Sequence, residues 1–145
     1  MNEATLYTRI LHATDLKENH YSMCQQAVEI SNRFDSELYL LHVIETPPSH
    51  QFAQGLGFIE LINPIKDDAV TVLSILGEAL GIAAGYQYVE IGSIKHHVLQ
   101  KAQELGCGLI IMGSHSANHM PKFLGSTAHA IIYHAVCDVL IVRSM

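Results

Sequence analysis

The stretch Leu109 to Thr127, LIIMGSHSANHMPKFLGST, restricts the possible folds more than any other part of the chain. Leu109, Ile110, Ile111 and Met112 form an unbroken apolar run that stops at Gly113-Ser114. Such a run, closed by turn residues, reads as a strand covered on both faces, as in parallel sheets. A polar loop leads to Gly125-Ser126-Thr127, and Ala128, Ile131, Ile132 and Ala135 then follow at the spacing of one helix face. The backbone N–H groups at a helix N-terminus lack partners and carry partial positive charge, so a phosphate fits there. Glycine lets the anion approach the backbone, and Ser126 and Thr127 can add hydroxyl donors. For an isolated G-S-T, a plain helix cap is the simpler reading. The stretch is neither a P-loop ending in G-K-[ST] nor a G-x-G-x-x-G fingerprint.

The rest of the chain repeats the same alternation. Leu6 to Ala13 reads as a first strand ended by Thr14-Asp15. Tyr21, Cys24, Ala27, Val28, Ser31 and Phe34 mark an amphipathic helix, and Leu38 to Ile44 a second buried strand. This βαβ unit is expected to be right-handed. Glu45 to Pro64, with its prolines and glycines, reads as a long connection of the kind that covers a site or is simply mobile. Ile65 to Ala84 reads as a helix ended by Gly81 and Gly85. Tyr86 to Ile91 is a strand, and Ile94, Val98, Ala102 and Leu105 mark a helix closed by Gly106 and Gly108. The last pieces are the strand at 109–112, a helix from Ser126 to Ala135, and a strand from Asp138 to Val142. Five strands alternating with four helices predict one α/β domain over residues 1–145, an open, doubly wound parallel sheet. In such sheets ligands bind beyond the carboxyl ends of the strands where the strand order reverses, here Ala13-Thr14-Asp15, Val43-Ile44 and Met112-Gly113.

Composition narrows the function. The chain has 145 residues, 49% of them apolar and 15% charged, which supplies a core and argues against disorder. Its formal net charge is −6, and no basic cluster is present, so no nucleic-acid surface is expected. Cys24, Cys107 and Cys137 are scattered without a C-x-x-C, which reads as free thiols in a reducing, cytoplasmic setting. No signal peptide or membrane span is expected. Ten histidines invite a metal reading. However, His96-His97 and the His115/His119 pair have no acidic or thiol partner nearby, so no tightly bound metal is expected. His12 and His42 fall within buried strands, where a hydrogen-bonded core histidine is usual.

The pattern M-G-S at 112–114, followed by G-S at 125–126 leading into a helix, resembles the universal stress protein family. So do the opening strand ending in T-D, the L-L-H-V of the second strand, the G-S turn at 92–93 and the closing C-D-V-L-I-V-R. The resemblance spans nearly the whole chain. It implies a Rossmann-like, adenine-nucleotide hydrolase-like fold with strand order 3-2-1-4-5, and a homodimer formed through the C-terminal strand at 138–143. It also implies that the chain binds ATP or AMP, with or without magnesium, as a stress-response module. Asp15, with Ala13 and Thr14 beside it, would address adenine or ribose, and Val43 would touch the adenine. Met112 and Gly113 would flank the ribose, while His115, Ser116, Gly125, Ser126 and Thr127 would belong to the phosphate loop. Ser116 stands where the family pattern has a second glycine. Some family members without the loop glycines bind no nucleotide, so a nucleotide-free dimeric interaction protein is the alternative. No catalytic residue is expected, and at most slow ATP hydrolysis, because no Walker lysine or obvious general base accompanies the loop.

Overall fold

The computed structural model describes residues 6–17, 19–45, 58–114 and 124–143, without the side chains of 58–64. Its elements are β1 (Arg9–Ala13), α1 (His20–Arg33), β2 (Glu37–Glu45), α2 (Phe58–Leu80), β3 (Gln87–Gly92), α3 (Ile94–Leu105), β4 (Leu109–Gly113), α4 (Ser126–His134) and β5 (Asp138–Val142). A single turn of 3₁₀ helix, Ala84–Tyr86, leads into β3. All five strands join one parallel sheet in the order β3-β2-β1-β4-β5.

Strand alternation sorts the core into two layers. Ile10, Leu40, Leu109 and Ile111 point to one face, where Cys24 and Ala27 of α1 and Leu73 and Leu76 of α2 cover them. Leu11, Leu41, Ile110 and Met112 point to the other, under Val98 and Ala102 of α3 and Ala128 and Ile131 of α4. Both faces of the sheet are therefore dry, which is why the central strands are apolar without alternation. Each fully buried Leu or Ile here contributes about 1.5–3 kcal/mol.

Two elements differ most from the expectation in their bounds. β1 begins at Arg9 rather than Leu6, which stands 70% exposed ahead of the sheet. The second helix begins at Phe58, inside the stretch expected to be an open connection, and ends at Leu80 rather than Ala84. Pro64 reads as a breaker but lies within this helix, near its start. Proline lacks an N–H, and at the seventh residue it stands past the first turn, so it costs the helix a backbone bond. The remainder of the expected connection, 46–57, lies outside the described residues.

α2 and α3 both stop on glycine. Gly81 has φ +77°, and the Ile82 N–H donates to Gly77 O at 2.8 Å. Gly106 has φ +69°, and the Cys107 N–H donates to Ala102 O at 2.8 Å. Each is a left-handed cap whose following amide bonds back across the last turn. At the β3 edge, Lys101 clamps α3 to the sheet. Its side chain is 14% exposed, with Nζ 3.6 Å from Glu90, 3.1 Å from Glu104 and 4.4 Å from the centre of the Tyr88 ring.

Gly77 gives a sharp test of this packing. Alanine normally gains about 1 kcal/mol over glycine inside a helix. Here a Cβ would lie 2.7 Å from the Ile82 carbonyl oxygen and 2.0 Å from Gln87 Nε2. Gly77→Ala should therefore destabilise by roughly 1–3 kcal/mol. Gly85→Ala, with nothing within 4 Å, should be close to neutral. Urea unfolding of the two variants checks the contrast.

Candidate functional site

The register brings the expected strand ends to one edge. Ala13 pairs with Leu41 on β2, and His12 pairs with Ile111 on β4. Continuing each strand places Thr14-Asp15 beside Val43 on one side and Met112-Gly113 on the other. Val43 and Met112 are buried on the α3/α4 face, while Gly113 is half-buried. Successive connections leave β1 and β4 towards opposite faces, α1 to one and α4 to the other. The order reverses here, so a crevice opens between the two exits.

The exit of β1 is held tightly. The Thr14 N–H donates to Leu41 O at 2.9 Å, and His42 Nδ1 lies 2.8 Å from Thr14 O. A carbonyl can only accept, so Nδ1 carries the proton. Thr14 Oγ1 accepts from the Leu16 N–H at 3.2 Å, and Asp15 Oδ1 accepts from the Lys17 N–H at 2.9 Å. The Asp15 carboxylate, exposed at the surface, therefore also shapes its own turn. Leu16 sits at φ +57°, which costs about 1–2 kcal/mol for a residue with a side chain. Strain of this kind clusters where structure is held for function.

His12 lies beneath this exit with 1% of its surface exposed. Its Nδ1 is 3.0 Å from Ile111 O, and its Nε2 is buried with no partner among the described residues. Burial lowers its pKa below the usual 6.5. That outweighs the bond to Ile111 and the charge of Asp15, which both favour the protonated ring. At the outer edge, His97 Nε2 lies 3.0 Å from Ile91 O, so this ring is half-buried and bonded rather than a surface histidine.

Gly125 is the N-cap of α4, with φ −61° and ψ 152° and no side-chain cap bond. The helix runs back from the carboxyl edge to the start of β5, so its N-terminus faces the crevice. Ser126 is exposed and Thr127 half-buried, and Ala128 anchors the turn in the core. Among the described residues neither hydroxyl is committed to a hydrogen bond, and the first turn carries no acid. Ala13, Thr14, Asp15, Val43, Met112 and Gly113 thus come together, with Gly125, Ser126 and Thr127 at the same edge. His115 and Ser116 lie outside the described residues. Among those described, no three His, Cys, Asp or Glu side chains converge as metal ligands. Nor is any described helix long and apolar enough to cross a membrane. The clamp from His42 and the left-handed Leu16 were not visible in the sequence. Nothing in a residue type names the carbonyl it will meet, and leucine carries no signal for φ > 0.

A family model described as "Universal stress protein family" matches residues 6–143. The chain belongs to the universal stress protein family. Universal stress protein A homolog 2 of Coxiella burnetii is 33% identical over 139 residues, covering 94% of this chain and 95% of that relative. Among solved structures, the universal stress protein UspA from Lactobacillus plantarum has a TM-score of 0.76 at 22% identity, covering 94% of this chain and 98% of that one. A universal stress protein solved in complex with cAMP has a TM-score of 0.66 at 18% identity, covering 94% and 97%. These structural likenesses speak to the fold. Its members share the parallel α/β arrangement found here.

His12 predicts an acid dependence of stability. Its folded pKa lies below the unfolded value of about 6.5. The folded state therefore keeps its full stability above that pH and loses it as pH falls from there through the folded pKa. Over that window the loss approaches about 1.4 kcal/mol per pH unit for one proton. His12→Leu should flatten the change in urea midpoint between pH 7.5 and pH 5, and an unchanged slope would assign the effect to other groups.

Proposed function

We propose that the chain binds an adenine nucleotide, ATP or AMP, at the carboxyl edge of the sheet and acts as a stress-response module. The observation that carries this reading is the start of α4. Its N-terminus is led by Gly125 without a side-chain cap, across the crevice from the exit of β1. In a chain of net charge −6, an anion is best held by backbone N–H groups and hydroxyls, and this helix start offers both. The nucleoside end would lie against Ala13, Thr14, Asp15, Val43, Met112 and Gly113. The phosphates would meet His115, Ser116, Gly125, Ser126 and Thr127, with magnesium as a companion of ATP. The related universal stress protein solved in complex with cAMP fits this reading. No group is assigned a catalytic role, and hydrolysis would be slow at most. The free thiols and the absence of a long apolar helix among the described residues suit a cytoplasmic protein.

The same reading includes a two-fold dimer through β5. This strand forms one edge of the sheet, and Leu140 on it is 38% exposed. Beside it Tyr133 and Val136 are 78% and 90% exposed. An apolar edge strand is a liability unless it pairs, and an antiparallel copy of itself would cover it. A dimer without nucleotide is the competing function.

Calorimetry with ATP, AMP and adenosine separates these readings. Gly125→Val should abolish ATP binding while leaving the circular dichroism unchanged. Asp15→Ala should weaken adenosine and ATP alike by about tenfold, or roughly 1.4 kcal/mol. A wild-type protein that takes up no nucleotide would favour the interaction protein. Sedimentation at micromolar concentration should show a dimer that Leu140→Lys converts to monomer, and a wild-type monomer would remove the edge-pairing reading.

A further inference from the structure

At the opposite, amino edge of the sheet, a cavity of about 80 Å³ lies between α3, α4 and the start of β4. Leu99, Ala102, Ile110 and Val136 line it together with Cys107 and Cys137. Both cysteines are reduced in this structure, Cys107 buried and Cys137 half-buried. We propose that Cys107 and Cys137 are a paired modification site, which a small disulfide such as oxidised glutathione converts into an intramolecular disulfide.

The backbone brings the pair within reach. Leu109 and Asp138 are register partners, and the Asp138 N–H donates to Gly108 O at 3.2 Å. Gly108 therefore lies beside Cys137, and Cys107 is one residue further along. Cys107 and Cys137 each stand one residue before a partner of this bond, and both line the same cavity. Direction agrees as well, because Cys107 belongs to the apolar cluster under α3 and α4, and Cys137 packs against that same cluster. Both therefore border one small cavity on the same face of the sheet.

The chemistry balances without another reactant. The Cys137 thiolate, the more accessible, attacks a sulfur of oxidised glutathione and expels one glutathione thiolate, which takes up the proton that Cys137 lost. Cys107 then loses its proton and attacks the mixed disulfide, releasing the second glutathione as a thiol. Two protein thiols are oxidised and one small disulfide is reduced. Burial pushes the Cys107 thiol up to about 12 and raises that of Cys137. The exchange is therefore slow at neutral pH and gains about tenfold per pH unit. Cys24 lies under α1 on the other face of the sheet, pushed up to about 12 by burial, and serves as an internal control. The bond would close a ring running from Cys107 to Cys137 through β4 and α4. It forms at the edge away from the candidate nucleotide site, so it stands or falls independently of nucleotide binding.

The test uses the full chain, reduced and then incubated with oxidised glutathione at pH 8.5. Peptide mapping should find a Cys107–Cys137 link in a monomeric band on a non-reducing gel, with Cys24 still reactive after unfolding. Cys137→Ser should abolish the link. Cys107→Ala should leave Cys137 trapped as the glutathione adduct, and this second variant decides the matter if the first fails to fold. A wild-type protein that stops at the glutathione adduct of Cys137, forms a Cys137 bridge between two chains, or shows neither thiol modified would overturn the proposal.

Discussion

The position of β1 between β2 and β4 is the constraint on which everything else depends. A parallel strand flanked on both sides and covered on both faces has no access to water. Its backbone must bond to its neighbours, and its side chains must be apolar or find partners. Ile10 and Leu11 meet that demand by shape. Because α1 and α4 cover opposite faces, the chain leaving β1 and the chain leaving β4 diverge. The crevice is the geometric remainder of that divergence. It needs no sculpted pocket, and it places one helix N-terminus beside one tight turn.

Histidine rings reach backbone carbonyls at three places in the sheet. His12, His42 and His97 each set a ring nitrogen near a backbone carbonyl, at Ile111, Thr14 and Ile91 respectively. A buried carbonyl left unbonded costs about 1–3 kcal/mol. An imidazole N–H supplies the missing donor with an apolar ring that packs well. His42 uses this to hold the exit of β1, while His12 leaves its second nitrogen without a partner among the described residues. The same residue type therefore holds the exit of β1 and makes the interior of that strand sensitive to acid.

The two ends of the sheet differ in character. The carboxyl edge gathers polar backbone, glycines and hydroxyls, with Leu16 in a strained conformation and Asp15 shaping its turn. At the amino edge, Cys107 and Cys137 share an apolar cavity. β4 connects them physically, running from Leu109, two residues after Cys107, to Gly113. The β5 edge beside it carries the exposed apolar side chains Tyr133, Val136 and Leu140.

The sequence by itself determined the number and order of elements and the class of fold. Apolar runs such as Leu38 to Ile44 and Leu109 to Met112 have no other stable home than a sheet covered on both faces. It also pointed to the edge where a candidate site would lie, because ligands in doubly wound sheets bind beyond the carboxyl ends of the strands. Helix starts were less legible. Phe58 to Leu80 begins six residues before Pro64, although a proline past the first turn costs a helix bond, so the proline alone did not mark the boundary. Pairings were not legible at all. The bond from His42 to Thr14 O and the nearness of Cys107 to Cys137 join residues far apart in the chain. Local pattern records which face a side chain occupies, but its partner depends on register and on which strands become neighbours. Tertiary structure alone decides that, because the sheet must form before two distant side chains can meet.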